Sequence, residues 1–102
     1  MIIYNVTILI DPTVKEEWLE WMRSVHIPDV MATGLVAEHH LCKVLMPDDG
    51  DDRFEKYAVQ YWFPTMEDFD TYQREHAKRL QAVHSEKYKN RFMAIRSVLE
   101  TV

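Results

Sequence analysis

The sequence predicts one α+β domain in which the elements follow as strand–helix–strand–strand–helix–strand. Three observations support this order: four segments have the composition of strands, the first of them with strict period two; two others carry apolar residues at helical spacing; and turn residues separate them. A chain of 102 residues has room for one hydrophobic core, so we expect residues 1–102 to form a single domain. With 47% hydrophobic and 28% charged residues, the composition is globular and disfavours disordered and collagen-like classes.

The first strand is predicted over residues 2–10, where strict period two is combined with a high content of β-branched residues. One of its faces is continuously apolar and should meet the helices: Ile2, Tyr4, Val6, Ile8 and Ile10. The helix that follows can begin with Asp11 as its cap and Pro12 in the first turn, or with Thr13 in a capping box. Its apolar stripe is Val14, Trp18, Trp21, Met22 and Val25. Because Pro28 disfavours helical geometry at the residue before it, we expect a kink or an end near His26.

The second strand, over residues 35–46, has no clean face, which is typical of a strand covered on both sides or carrying a bulge. A polar turn at 47–52 leads to a third strand at 54–63. Thr65 and Asp68 form a capping box for the second helix. Its stripe is Phe69, Tyr72, His76, Leu80 and Val83, and a last strand follows at 92–99. Two right-handed βαβ crossovers on a four-stranded antiparallel sheet, with both helices on one face, give a ferredoxin-like fold.

The face of the sheet away from the helices is predicted to mix apolar and polar side chains. Its members would be Asn5, Thr7, Ala58, Gln60, Trp62, Phe92, Ala94, Arg96 and Val98. Such a surface is too apolar to stay in water and too polar for an ordinary core. We therefore expect a second copy of the chain to cover it, as a homodimer in which two sheets close on each other.

Several stretches of the chain resemble a small bacterial family known as a domain of unknown function. They are residues 26–35 (HIPDVMATGL), 57–61 (YAVQY) and 80–84 (LQAVH), together with 3–7 (IYNVT) and 18–22 (WLEWM). The resemblance spans nearly the whole chain and implies a dimeric α+β barrel. That architecture is shared with antibiotic-biosynthesis-type monooxygenases, muconolactone isomerase-like proteins and stress-responsive barrel proteins. It implies no activity and no catalytic residue.

The mixed sheet face suggests a ligand-binding pocket that lines the barrel. Its predicted members are Asn5, Thr7, Gln60, Trp62 and Arg96, with His39 or His40 from the second strand. An arginine can clamp a carboxylate or polarise a carbonyl oxygen, while a histidine moves a proton. The alternative is structural: a buried arginine is costly unless it is paired, and Glu38 or an acid of the partner chain could pair with Arg96.

The remaining histidines are weaker candidates. His26 either packs at the end of the first helix or acts as an acid/base at the mouth of the barrel. His76 lies in an apolar stripe and is expected in the core, while His84 lies about 12 Å further along the axis, too far to share a metal. Neither the five histidines nor Cys42 show metal-ligand spacing, so we predict no metal site and no cofactor. A haem held by a single histidine stays an alternative.

Other classes of protein are disfavoured. A net charge of −5 argues against nucleic-acid binding, and residues 56–61 lack the glycine and the stacking aromatic of RNA-recognition domains. The acidic turn at 47–52 lacks the alternating frame of a calcium loop. A single cysteine suits a reducing compartment, and the short apolar opening has no positive flank, so we expect a cytoplasmic protein that does not enter a membrane.

These observations lead to a functional hypothesis without an assignable reaction. We expect a homodimeric binding or interaction module for a small apolar or carboxylate-bearing metabolite. The alternatives are a small enzyme of the monooxygenase or isomerase kind, cofactor-free or haem-dependent, and a purely structural subunit.

Overall fold

The sheet has the predicted number of strands, and they run in the predicted directions. A computed structural model describes residues 1–48 and 50–102, so Asp49 of the predicted polar turn lies outside the described residues. The strands are β1 (Ile2–Ile10), β2 (Glu38–Lys43), β3 (Glu55–Phe63) and β4 (Phe92–Glu100). All pairings are antiparallel, in the order β2-β3-β1-β4. The predicted ferredoxin-like fold is confirmed, with β2 shorter than predicted.

The first helical segment runs on past the position where the sequence predicts a kink or an end. A 3₁₀ turn (Pro12–Val14) leads into α1 (Lys15–Trp21), a π-helical turn (Met22–His26) and α2 (Ile27–Met31). Of the two predicted caps, Asp11 is used: its Oδ1 accepts from the Thr13 N–H at 2.9 Å. Pro28 lies in the first turn of α2. The π-helical turn just before it brings the Ile27 N–H to the Met22 carbonyl, so the helix widens where the sequence predicts a kink or an end.

The second helical segment has the same construction. It comprises α3 (Met66–Tyr72), a π-helical turn (Gln73–Ala77) and α4 (Lys78–Lys87). The predicted capping box is confirmed: the Asp68 N–H donates to Thr65 Oγ1 at 3.1 Å, and the Thr65 hydroxyl donates to Asp68 Oδ2 at 3.0 Å.

Each π-helical turn moves the buried stripe of its helix by one residue. Because such a turn holds one residue more than an α-helical turn, the inward positions after it fall one place later in the sequence. Ala77 therefore takes the core position predicted for His76, and His84 is buried where the sequence favours Val83, which is 50% exposed. In the first segment Ile27 follows Met22 into the core.

The core lies between the helices and one face of the sheet. As predicted, alternate residues of β1 from Ile2 to Ile10 are buried, and the matching face of β3 is buried with them. The largest fully buried side chains include Trp18, Phe63 and Ile10.

The predicted phase of β4 is wrong. Val6 pairs with Arg96, and residues paired across antiparallel strands point to the same face. Phe92, Ala94, Arg96 and Val98 therefore lie on the helix side. Met93, Ile95, Ser97 and Leu99 lie on the open face, the face of the sheet away from the helices. The β4 sequence is apolar on both faces, so its alternation does not determine its phase.

The register also determines the phase of β2, which the sequence left open. His40 pairs with Gln60 and so lies on the open face with Glu38 and Cys42. His39 pairs with Tyr61 and lies on the helix side. Among the described residues, no helix is long and apolar enough to cross a membrane.

Candidate functional site

The open face brings together most of the predicted barrel-lining residues. A polar row crosses the sheet through His40, Gln60, Asn5 and Ser97, which are register partners on successive strands. Gln60 Nε2 donates to Asn5 Oδ1 at 3.1 Å, and Asn5 Nδ2 donates to Thr7 Oγ1 at 3.4 Å. Two hydrogen bonds thus link the Gln60, Asn5 and Thr7 side chains within the protomer.

Trp62 lies beside this row with its indole hydrogen unused. Its ring centroid is 5.9 Å from that of His40, and Glu38 Oε2 lies 3.5 Å from His40 Nε2. Trp62 Nε1 is buried without an acceptor in the part of the chain that the structure describes. A buried indole N–H normally finds a partner, so this unpaired donor is an exception within the described part of the protomer.

The β4 side of the open face is apolar and exposed. Met93, Ile95 and Leu99 are 51%, 63% and 46% exposed, and they adjoin Leu9, Thr7 and Ile3 of β1. The open face thus has a polar half over β2 and β3 and an apolar half over β4.

Two predicted members of this pocket lie elsewhere. Arg96 is on the helix side of β4, and His39 is on the helix side of β2, exposed at the opposite edge of the sheet. The predicted alternative of an Arg96–Glu38 pair within the chain is wrong, because the two residues lie on different edge strands and on different faces. Of the carboxylates in residues 1–48 and 50–102, none is within ion-pairing distance of Arg96.

A second site, not predicted from the sequence, lies between the sheet and the helices. It is a cavity of about 40 Å³, partly open to solvent, and is here called the helix-side cavity. Its wall consists of Tyr4, Val6, Ile8, Met22, His26, Val59, Tyr61, Tyr72, Leu80, Gln81, His84 and Arg96. Among these described lining residues, Arg96 alone carries a formal charge at neutral pH, and no carboxylate is present.

Tyrosine hydroxyls supply part of the polar lining. Tyr4 Oη accepts from Gln81 Nε2 at 3.2 Å. Tyr61 is 3% exposed, and its hydroxyl has no hydrogen-bond partner among the described residues. Burial raises the pKa of Tyr61 and of Tyr72 well above the usual range of a phenol, so both stay neutral donors.

His84 is held in one tautomer. It is 6% exposed, and Trp18 Nε1 donates to its Nε2 at 2.9 Å. An indole nitrogen is only a donor, so Nε2 is unprotonated and the proton of the neutral ring lies on Nδ1. Burial, with the neighbouring His26 and Arg96 acting in the same direction, lowers the pKa of His84 to about 4.

His26 joins His84 in an aromatic cluster. The two imidazole centroids are 5.6 Å apart, and Trp21 lies 5.2 Å from His26 and 5.8 Å from His84. Phe92 contacts His84 edge-on at 4.5 Å. Burial lowers the pKa of His26 to about 4, with the charge of Asp29 opposing the shift. Both rings are therefore neutral at pH 7.

Arg96, on the edge strand β4, lines this cavity. Its charge lowers the pKa of His84 and opposes the rise in the pKa of Tyr72, which places the guanidinium within electrostatic range of both side chains. The sequence names Arg96 and His26 as candidates but places them in a different pocket. Sequence reasoning does not select His84 or Tyr61 as site residues. His84 is turned inward by the π-helical turn, which helical periodicity does not reveal. Across residues 1–48 and 50–102, no group of at least three His, Cys, Asp or Glu side chains could hold a metal ion.

Solved structures share this fold at low sequence identity. A dimeric ferredoxin-like protein from an uncultured marine organism is 13% identical with a TM-score of 0.70, covering 100% of this chain and 95% of that one. A dimeric ferredoxin-like protein of unknown function from Jannaschia sp. CCS1 is 17% identical with a TM-score of 0.58, covering 99% and 100%. An antibiotic biosynthesis monooxygenase is 16% identical with a TM-score of 0.60, covering 100% and 99%. At these identities the likeness shows the fold alone.

No curated protein matches the chain. A family model does match it, over residues 1–102, and the family is described as a domain of unknown function, DUF4286. The resemblance seen in the sequence is thereby confirmed, and the chain belongs to this family.

Proposed function

We propose that the protein is a homodimer that pairs through its open face and binds one small molecule in the helix-side cavity of each protomer. The observation that carries the ligand site is a buried, unpartnered hydroxyl, that of Tyr61, in the wall of a cavity with one uncompensated positive charge. A buried donor without an acceptor costs free energy that a ligand can recover. No reaction is assigned.

The exposed apolar half of the open face supports self-association. Three strands of nine residues and one of six, about 4.8 Å apart with about 3.3 Å per residue, give a face of roughly 520 Å², before side-chain relief is counted. A standard interface hides about 800 Å² of accessible surface per partner. The neighbours described as dimeric ferredoxin-like proteins fit this arrangement. In the dimer, the Asn5, Thr7, Gln60, Trp62 and His40 side chains would line the space between the two sheets.

Sedimentation velocity at micromolar concentration tests the dimer. Ile95→Asp places a charge in the apolar half and should give a folded monomer, because a buried unpaired carboxylate opposes association. The matched control is Val83→Asp, a similar change at an exposed site on α4, which should stay dimeric. A wild-type protein that sediments as a monomer would contradict the proposed pairing.

A ligand screen by two-dimensional NMR tests the cavity. We expect saturable shifts for resonances of Tyr61, Gln81 and His84 with at least one class in a library of small acids, neutral compounds and amines. A response limited to Asn5 and Gln60 would move the site to the open face. A flat response to the whole library would contradict ligand binding.

A small enzyme is the second candidate, and His84 is the observation that favours it. A neutral imidazole with a fixed tautomer beside a cation has the composition of a proton-transfer site. The likeness to an antibiotic biosynthesis monooxygenase concerns the fold and is only an analogy. If a bound ligand is recovered chemically unchanged from the wild type after prolonged incubation under air, binding without turnover is favoured.

We also infer a cytoplasmic location, in a bacterium. The support is Cys42, a free thiol exposed on β2, which a reducing compartment keeps from oxidising. Cell fractionation with thiol labelling checks this, and recovery of the protein in an oxidised disulfide-linked form would count against it.

A further inference from the structure

We propose that the helix-side cavity takes a short 2-oxo carboxylate, its carboxylate on Arg96 and its oxo oxygen on the Tyr61 hydroxyl. This inference rests on the proposed function, ligand binding in this cavity. It adds the chemical class of the ligand and the side chains that recognise each end of it.

The charge of the lining selects an anion. Arg96 is the one formal charge among the described lining residues, and no described carboxylate neutralises it. A guanidinium recognises a carboxylate through paired hydrogen bonds, and the partly open cavity leaves its outer side in contact with water. A ligand with two negative charges would leave one uncompensated near low-dielectric walls, so a monoanion fits better than a dianion.

The hydroxyl of Tyr61 selects a ligand that carries a hydrogen-bond acceptor in addition to its carboxylate. Two other polar groups of the lining have partners within the chain: Gln81 donates to Tyr4 Oη, and His84 Nε2 accepts from Trp18. Tyr61 Oη remains without a partner among the described residues. A carbonyl oxygen accepts from this phenol without needing a donor in return.

The sheet register places the two anchors on opposite sides of β1. Arg96 pairs with Val6 from β4, while Tyr61 pairs with Tyr4 from β3. Their Cα atoms are thus two strands and two residues apart, on the order of 12 Å. Both residues lie on the helix side, and both line the cavity. Val6 and Val59 provide an apolar surface beside them.

The size of the cavity limits the length of the ligand. Its volume of about 40 Å³ equals that of roughly three waters at about 10–15 Å³ each. Three or four heavy atoms fit inside, with the carboxylate at the open side. Long acyl chains and aromatic acids do not fit in this volume.

Three four-carbon probes separate the two contacts by isothermal titration calorimetry. They are 2-oxobutyrate, with both groups; butyrate, with the carboxylate alone; and 2-butanone, with the carbonyl alone. For the wild type we expect 2-oxobutyrate to bind about tenfold more tightly than butyrate, which corresponds to one good hydrogen bond, and 2-butanone to bind most weakly.

Two variants assign each contact to a side chain. Tyr61→Phe keeps the ring and should weaken 2-oxobutyrate to the affinity of butyrate while leaving butyrate unchanged. Arg96→Gln should weaken both acids at least tenfold and leave 2-butanone unchanged. Arg23→Gln, at an exposed arginine of the first π-helical turn, is the matched control and should bind all three probes as the wild type does.

The outcomes distinguish this inference from the proposed function. If neutral or cationic compounds bind the cavity more tightly than the acids, or if Arg96→Gln leaves acid binding unchanged, the ligand class is refuted while the cavity remains a binding site. Equal loss of 2-oxobutyrate and butyrate in Tyr61→Phe would also refute the class. If no compound of any charge binds, the proposed function itself fails and this inference with it.

Discussion

Mild acid should destabilise the fold through His84, and the sign follows from its pKa. Burial lowers that pKa from 6.5 to about 4, so between these values the unfolded chain holds a proton that the folded chain does not. Stability is therefore full above about pH 6.5 and decreases as the pH falls toward 4. Below that value both states are protonated, and this residue contributes no further loss.

The magnitude is large relative to the stability of a small domain. Each pH unit in which one group is protonated only in the unfolded chain is worth about 1.4 kcal/mol. Because the titration near 6.5 is gradual, the free energy of unfolding should decrease by about 2 kcal/mol between pH 7 and pH 5 on account of His84 alone. Protonation also removes the acceptor at Nε2 that Trp18 uses, so the pair loses its buried hydrogen bond. His26 contributes in the same direction.

Urea unfolding followed by tryptophan fluorescence at pH 7, 6 and 5 measures this effect. Protein concentration must be held constant, since dimerisation also contributes to apparent stability. His84→Gln retains an oxygen acceptor for Trp18. Between pH 7 and pH 5 its free energy of unfolding should decrease by about 2 kcal/mol less than that of the wild type. His39→Gln removes an exposed imidazole and should keep the wild-type pH dependence. If His84→Gln shows the same pH dependence as the wild type, the assignment to this buried ring is refuted.

Two further predictions concern stability at neutral pH, measured by urea unfolding. Thr65→Ala removes the acceptor for the Asp68 N–H at the start of α3 and should lower the free energy of unfolding by about 1 kcal/mol; an unchanged midpoint would contradict the capping role. Tyr61→Phe removes a buried hydroxyl without a partner among the described residues and should raise the free energy of unfolding by about 1 kcal/mol. A loss of stability in that variant would mean that the hydroxyl is satisfied in solution.

The two π-helical turns determine which helix residues face the core and the helix-side cavity. Each follows an α-helical segment of seven residues, and each moves the inward face by one residue. Without the turn at Gln73–Ala77, the apolar Val83 would occupy the inward position, and His84 would face solvent. The turn thus places an imidazole against Trp18 and beside the cavity, at the cost of exposing a valine.

The sequence by itself determined the order of elements, the core faces of β1 and β3, and the Thr65 cap. Each of these features is determined by residues that are close together in the sequence. On β1 the inward positions are all apolar and the outward ones include Asn5 and Thr7, so the wrong phase would bury polar groups. Thr65 lies three residues before Asp68, and its hydroxyl accepts from the Asp68 N–H at the start of the helix, as this local pattern predicts.

Only the tertiary structure decided which face carries Arg96 and that His84 points inward. The β4 strand is apolar on both sides, so hydrophobicity does not distinguish its two phases, and its hydrogen bonds to β1 do. Helical periodicity counts 3.6 residues per turn and misses an inserted residue, which is recognised only when the helix is packed against a sheet. Arg96 and His84 both depend on such long-range pairing, and for that reason the cavity between them was absent from the sequence-based prediction.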